Sequence, residues 1–303
     1  MKAFSKIVCL CLVLLLFSAM ALGSGSDGGD QKEIVNGNGK SNNSNSADNT
    51  AAAPKVEVNI DEQVLLTWND LTITATKYVT DSIWGDGVKV LLENKGTKDL
   101  GVSCNALIVN NYMISDLFSS TVAAGKKANE TIYLSSSDLE AAGIENVGQI
   151  EFYFHIYDSS SYSTLHDSEG IVLKTSAYDQ MDTEPNDLGT ELYNKNGIRI
   201  VGKFVDEDSF WGTAVLLYIE NTSKENVTVT CEDMSINGFM VTPYFYSTVY
   251  ANKMAMDTIT ILSSDLEDND ISTVEEIELK FRITNSDSYR KIDETDPIAF
   301  SAK

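Results

Sequence analysis

The sequence predicts an all-β protein made of two tandem β-sandwich domains, each with one short helical crossover. Two observations carry this. Apolar residues recur with period two over long stretches, and the chain repeats itself at a fixed interval. Cys104 and Cys231 stand 127 positions apart (231 − 104), and so do Trp84 and Trp211. The same shift superimposes Asp81-Ser82-Ile83-Trp84-Gly85 on Asp208-Ser209-Phe210-Trp211-Gly212, and Glu93-Asn94 on Glu220-Asn221. It also brings Ser136-Ser137-Asp138-Leu139-Glu140 onto Ser263-Ser264-Asp265-Leu266-Glu267, with no gap from Leu71 to the C-terminus. A period this long and this regular is an internal duplication.

The chain begins with Lys2 and Lys6, a short apolar run from Ile7 to Phe17, and the small-x-small sequence Ala19-Met20-Ala21. This is the layout of a cleaved signal peptide, residues 1–23, and it implies a secreted or cell-envelope protein. The stretch Ala21-Leu22-Gly23-Ser24 has the form of a lipoprotein signal with serine in place of the lipidated cysteine. Residues 24–55 follow as a Gly/Ser/Asn-rich spacer. Its low apolar content cannot offset ordering entropy, so it is expected to be a disordered tether.

The first domain is expected over residues 56–177 and the second over 190–303. Val88, Val90 and Leu92 are expected to alternate with less buried neighbours, and Val215, Leu217 and Ile219 repeat the pattern. Ile150, Phe152, Phe154 and Ile156 form one face of a strand, repeated as Ile277, Leu279, Phe281 and Ile283. Such alternation marks half-buried strands. Asn110-Asn111 and Asn237-Gly238 lie between apolar runs and predict two-residue hairpin turns. Just before them the apolar phase slips by one residue, from Cys104 to Leu107 and from Cys231 to Met234, which predicts a β-bulge. Ser137 with Glu140, and Ser264 with Glu267, have capping-box spacing and predict one short helix per copy, the first stopped by Gly143. Seven or eight short strands with one helical crossover make the pattern of an immunoglobulin-like sandwich. Residues 178–189, rich in Asp and Glu, read as an acidic linker.

Composition limits the function. Hydrophobic residues make up 43% and charged residues 22%, with 45 acidic against 22 basic side chains and a net charge of −23. Such a surface repels nucleic acid and anionic headgroups, so neither is expected as a partner, and no membrane span remains once the signal is removed. His155 and His166 have no His counterparts in the second copy, which argues against a His-dependent triad or a zinc site. Cys104 and Cys231 fall at inward-facing strand positions, as expected of buried free thiols. Asp179, Asp182, Glu184 and Asp187 are dense enough to suggest weak calcium binding, and no other cofactor is expected. Trp84 and Trp211, with Tyr112-Met113 and Phe239-Met240 just after the hairpin turns, are the candidates for partner binding. Packing over the end of a sandwich core is the competing role for the tryptophans.

The run from Val109 to Ile114, then Val122 to Ala128, then Ser137 to Glu140 resembles uncharacterised immunoglobulin-like domains of Gram-positive secreted proteins and lipoproteins. The second copy keeps Ile236 to Val241 and has Asn252 where the first has Gly125. The resemblance implies the fold and a cell-envelope location and carries no site residues. The expectation is therefore a non-enzymatic extracellular binding or display module whose partner is an extracellular protein or cell-wall component. A hydrolase using carboxylates alone and a spacer without ligand are the alternatives.

Overall fold

The computed structural model describes residues 31–36 and 56–303. The signal peptide, Ser24 and most of the spacer lie outside them. The described chain forms two compact units, one of residues 56–184 and one of residues 31–36 with 185–303. The division at Glu184/Pro185 falls inside the expected acidic linker.

In chain order the strands begin with β1 (Lys32–Asn36), β2 (Gln63–Trp68), β3 (Leu71–Asp81), β4 (Gly85–Asn94) and β5 (Leu100–Val109). They continue with β6 (Tyr112–Ile114), β7 (Ser119–Val122), β8 (Lys127–Tyr133), β9 (Gln149–Asp158), β10 (Thr164–Asp167) and β11 (Ile171–Lys174). The second unit holds β12 (Thr190–Lys195), β13 (Ile198–Ser209), β14 (Gly212–Asn221), β15 (Val227–Ile236) and β16 (Phe239–Met240). It closes with β17 (Tyr246–Val249), β18 (Lys253–Leu262), β19 (Glu276–Asn285), β20 (Lys291–Glu294) and β21 (Ile298–Ala302). Each strand from β2 to β11 thus has its counterpart 127 residues later, and β1 alone has none.

Each unit is all-β and antiparallel. In the first, β2-β3-β4-β8 form one sheet. In the other, β5 pairs with β6 and β7 on one side and with β9 on the other, and β9 pairs with β10 and β11. The second unit repeats this with β12-β13-β14-β18 against β15, β16, β17, β19, β20 and β21. The alternating residues read from the sequence lie where period two requires, with Val88, Val90, Leu92, Phe152, Phe154, Phe281 and Ile283 buried in the cores. Strand β14 departs from half-burial, because Leu216 and Tyr218 on its other face are buried as well. The guanidinium of Arg199 lies 6.0 Å from the Tyr218 ring centroid.

Local signals also hold. Asn110 and Asn111 have φ of 47° and 71°, and Asn237 and Gly238 have 51° and 84°, the doubly left-handed turn that suits sheet twist. The pairing register of β5 slips between Cys104 and Ala106, and that of β15 between Glu232 and Ser235, so both expected bulges are present.

The repeated asparagines are structural. The Asn94 amide donates to the carbonyls of Lys98 and Val122 and accepts from Gly96 N–H, and Asn221 does the same with Glu225, Val249 and Ser223. Asn110 ties its turn to Asn146, Gly148 and Gln149, as Asn237 does to Thr273, Glu275 and Glu276.

Two details correct the sequence reading. Helix α1 (Ser136–Ala142) is capped by Ser135, whose hydroxyl accepts from Asp138 N–H at 3.4 Å, and not by Ser137. Helix α2 (Ser263–Glu267) starts at Leu262, the counterpart of Ser135, and has no side-chain cap. Gly143 ends α1 with φ 72°, as expected. The shared aspartate of the Ser-Ser-Asp-Leu-Glu motif instead holds the helix to the segment after the hairpin: Asp138 accepts from Ser115 N–H and Asp265 from Thr242 N–H. The second correction is β1, which turns part of the expected disordered spacer into a strand of the second unit.

Candidate functional site

The turn between β3 and β4 is built by two residues of its own motif. One carboxylate oxygen of Asp81 accepts from the backbone N–H groups of Ile83 (2.7 Å) and Trp84 (3.0 Å). Those bonds hold the Asp81 carboxyl below its usual range. Gly85 follows with φ 76°, where a Cβ would lie 2.2 Å from Ser136 Oγ. With the chain reversed this tightly, Ile83 and Trp84 have no core to enter. Ile83 is 81% exposed and Trp84 63% exposed. The Trp84 ring keeps one neighbour, Tyr133, at 6.0 Å.

The β13–β14 turn reaches a similar result by different bonds. Asp206 accepts from Asp208 N–H, and the Ser209 hydroxyl donates to the Gly212 carbonyl at 2.7 Å. Gly212 adopts φ 137°, where a Cβ would meet the Ile261 carbonyl oxygen at 2.2 Å. Phe210, the counterpart of Ile83, is 75% exposed and meets the half-buried Trp211 edge-on at 4.8 Å. Both units therefore present a large apolar side chain at the same turn. Trp84 faces solvent and does not close a core, and Trp211 lies between the two roles.

The other expected patch is present in one unit only. Tyr112 is 4% exposed, because alternate residues of β6, Tyr112 and Ile114, point into the core and leave Met113 half-buried. In the two-residue β16, both Phe239 and Met240 are exposed. Ile83 and Phe210 are the tip residues the sequence reading passed over. Their signal was available, as both occupy the variable position of the repeated Asp-Ser-x-Trp-Gly motif.

The remaining candidates are engaged locally. The Asp182 carboxylate accepts from Glu184 N–H, and Asp187 pairs with Arg199 Nη1 at 2.6 Å. Among the described residues no three His, Cys, Asp or Glu side chains are grouped to hold a metal ion. His155 Nδ1 lies 2.5 Å from Asp167 Oδ1, and His166 stacks on Trp68 at 5.4 Å, so neither ring is merely solvated. Burial raises the Asp167 carboxyl, and hydrogen bonds from His155 and Asn105 outweigh it and leave the group lowered. In the second unit Arg282 and Glu294 occupy the same two positions and face each other in register, and the Arg282 guanidinium pairs with Glu232 at 3.5 Å.

Cys104 and Cys231 are free and half-buried, and burial pushes the Cys231 thiol up to about 12 and that of Cys104 well above its usual range. Thiols held protonated in this way are poor nucleophiles. Burial also raises the Asp116 carboxyl to about 6, against a lowering hydrogen bond from Phe118 N–H. Its counterpart in the second copy is Pro243.

Open depressions lie beside two of these turns. One of about 390 Å³ lies beside Thr80, Gly85, Asp86, Ser136, Glu140 and Ile144. The other, about 460 Å³, lies beside Asn237, Phe239, Asp270, Ile271, Thr273 and Glu276.

No family model matches the sequence, and no curated protein matches it. Solved structures align with it at low similarity. The YadV chaperone aligns at 14% identity and TM-score 0.23, over 75% of this chain and 98% of that one. The exo-chitosanase CsxA of Amycolatopsis orientalis aligns at 15% identity and TM-score 0.24, over 75% of this chain and 26% of the enzyme. The Salmonella enterica SafA pilin–SafB chaperone complex aligns at 11% identity and TM-score 0.20, over 71% of this chain and 88% of the matched one.

Proposed function

We propose that this protein is a non-enzymatic extracellular module that binds a neutral or basic component of a Gram-positive-type cell envelope through its two turn tips. The observation that supports this reading is the matched exposure of Ile83 with Trp84 in one unit and Phe210 in the other. Apolar surface left in water forgoes about 25 cal/mol per Å² of stabilisation, which a partner recovers when it covers the tip. Rigid aromatic side chains lose little entropy on contact, and tight turns hold them ready. Two equivalent tips on one chain also make the second contact intramolecular. The net charge of −23 directs the choice of partner away from anionic polymers and towards uncharged glycan, peptide or basic protein.

The test is co-sedimentation of the purified protein with peptidoglycan sacculi. The wild type is expected to sediment with them, and a variant carrying Ile83→Ser, Trp84→Ser and Phe210→Ser to remain in the supernatant. Failure of the wild type to sediment, or equal sedimentation of the variant, overturns the reading.

A further inference from the structure

Strand β1 is separated in sequence from the unit it completes by the whole first unit. Lys32 and Glu33 pair with Val205 and Phe204 of β13, and Ile34, Val35 and Asn36 pair with Ala302, Ser301 and Phe300 of β21. Five residues therefore bridge the two sheets of the second unit.

Their seat is specific. Ile34 is 1% exposed, and its carbonyl accepts from the Thr190 hydroxyl at 2.5 Å. A Cβ on Gly202 would lie 2.8 Å from Ile34 Cδ1, so the absence of that atom makes the room Ile34 fills. The first unit has Ala75 at the same place. Lys32 Nζ lies 2.7 Å from Glu207 and donates to the Val274 carbonyl at 3.0 Å. The counterpart of Glu207 in the first unit is the uncharged Thr80.

The first unit meets the same structural need from its own adjoining chain. There, Ser176 N–H donates to the Asn59 carbonyl at 2.8 Å, where Lys303 N–H in the second unit donates to that of Glu33 at 2.9 Å. The segment that should repeat this role in the second unit holds Asn186, 127 positions after Asn59. It is used otherwise, because Lys203 Nζ takes the Asn186 carbonyl and amide oxygens and Arg199 takes Asp187. The second unit is thus built to receive a strand that its own preceding chain does not supply.

We propose that the β13–β21 groove is a strand-acceptor site, and that a second copy of this chain supplies the Lys32–Asn36 strand in trans as well as in cis. Strand addition to an open sheet edge draws affinity from backbone hydrogen bonds and selectivity from alternate side-chain pockets. Here the pocket is the Gly202 recess, and the charge selection is Lys32 on Glu207. Exchange of an identical element between copies needs no new contact, since each acceptor receives the strand it already fits.

Two full-length chains, both with all four native cysteines (Cys9, Cys11, Cys104 and Cys231) replaced by serine, test this. One carries Val35→Cys and the other Ser301→Cys, positions that face each other across β1 and β21. Mixed, equilibrated and oxidised, they are expected to give a disulfide-linked heterodimer at several times the yield of the homodimer that either chain gives alone. Adding Ile34→Asp to the Ser301→Cys chain disables its own strand and is expected to raise the yield further. A single chain carrying both cysteines reports seating in cis. Bridge closure in that chain with no heterodimer from the mixture confines the strand to its own chain and overturns the proposal. Closure in neither sample shows that the groove does not hold this strand, which overturns it as well.

Discussion

Asn94 and Asn221 show why single residues recur in this chain. Each is almost fully buried and satisfies two carbonyls and one N–H that the surrounding turn leaves without partners. Asn221→Ala strands those groups away from water and is expected to destabilise the second unit by about 3 kcal/mol in chemical denaturation. Asp116 acts in the opposite sense. Its carboxyl titrates near 6 in the folded protein, above its ordinary value of 3.8, because burial disfavours the charge. Its contribution to stability is therefore fully present below about pH 4 and is lost as pH rises through about 6. Asp116→Asn is expected to be more stable than the wild type at pH 7 by about 2 kcal/mol and to lose that advantage at pH 4, as denaturation at the two values would show. The repeat made Asn94 and Asn221 visible in the sequence, but their burial was not, because an Asn-containing turn reads the same whether solvated or enclosed. Asp116 left no trace at all, since its burial depends on neighbours distant in sequence.

Strands were legible as elements because period-two alternation over ten residues fits a half-buried strand and no helix. The bulges were legible because both copies slip phase at the same place. Helix starts were less so. A run of serines offers several caps, and the end of β8 decides which backbone geometry selects Ser135. The second copy has Leu262 there, so the spacing of Ser264 and Glu267 was coincidental to capping. β1 escaped notice because it is a five-residue segment inside a polar stretch, and Ile34 is its buried apolar anchor. At the β13–β14 turn, Gly212→Ala would drive a Cβ to 2.2 Å from the Ile261 carbonyl at φ 137°. It is expected to cost about 3 kcal/mol. Gly238→Ala meets nothing within 4 Å and has only its positive φ of 84° against it. A cost of about 1 kcal/mol is expected there. Thermal melts of the two variants make the comparison directly.

For the molecule as a whole, duplication sets the architecture. The interval of 127 residues fixed the correspondence of every strand but β1, and so located the asymmetry that makes the second unit an acceptor. In the proposed binding function the two turn tips act together, since sites on one chain gain effective concentration for the second contact. The most direct measurement is sacculus binding by three variants: Ile83→Ser with Trp84→Ser, Phe210→Ser alone, and all three together. Two-tip binding predicts that losing either tip weakens binding about a hundredfold, and that losing both abolishes it. A single-tip variant that binds as tightly as the wild type would contradict two-tip binding.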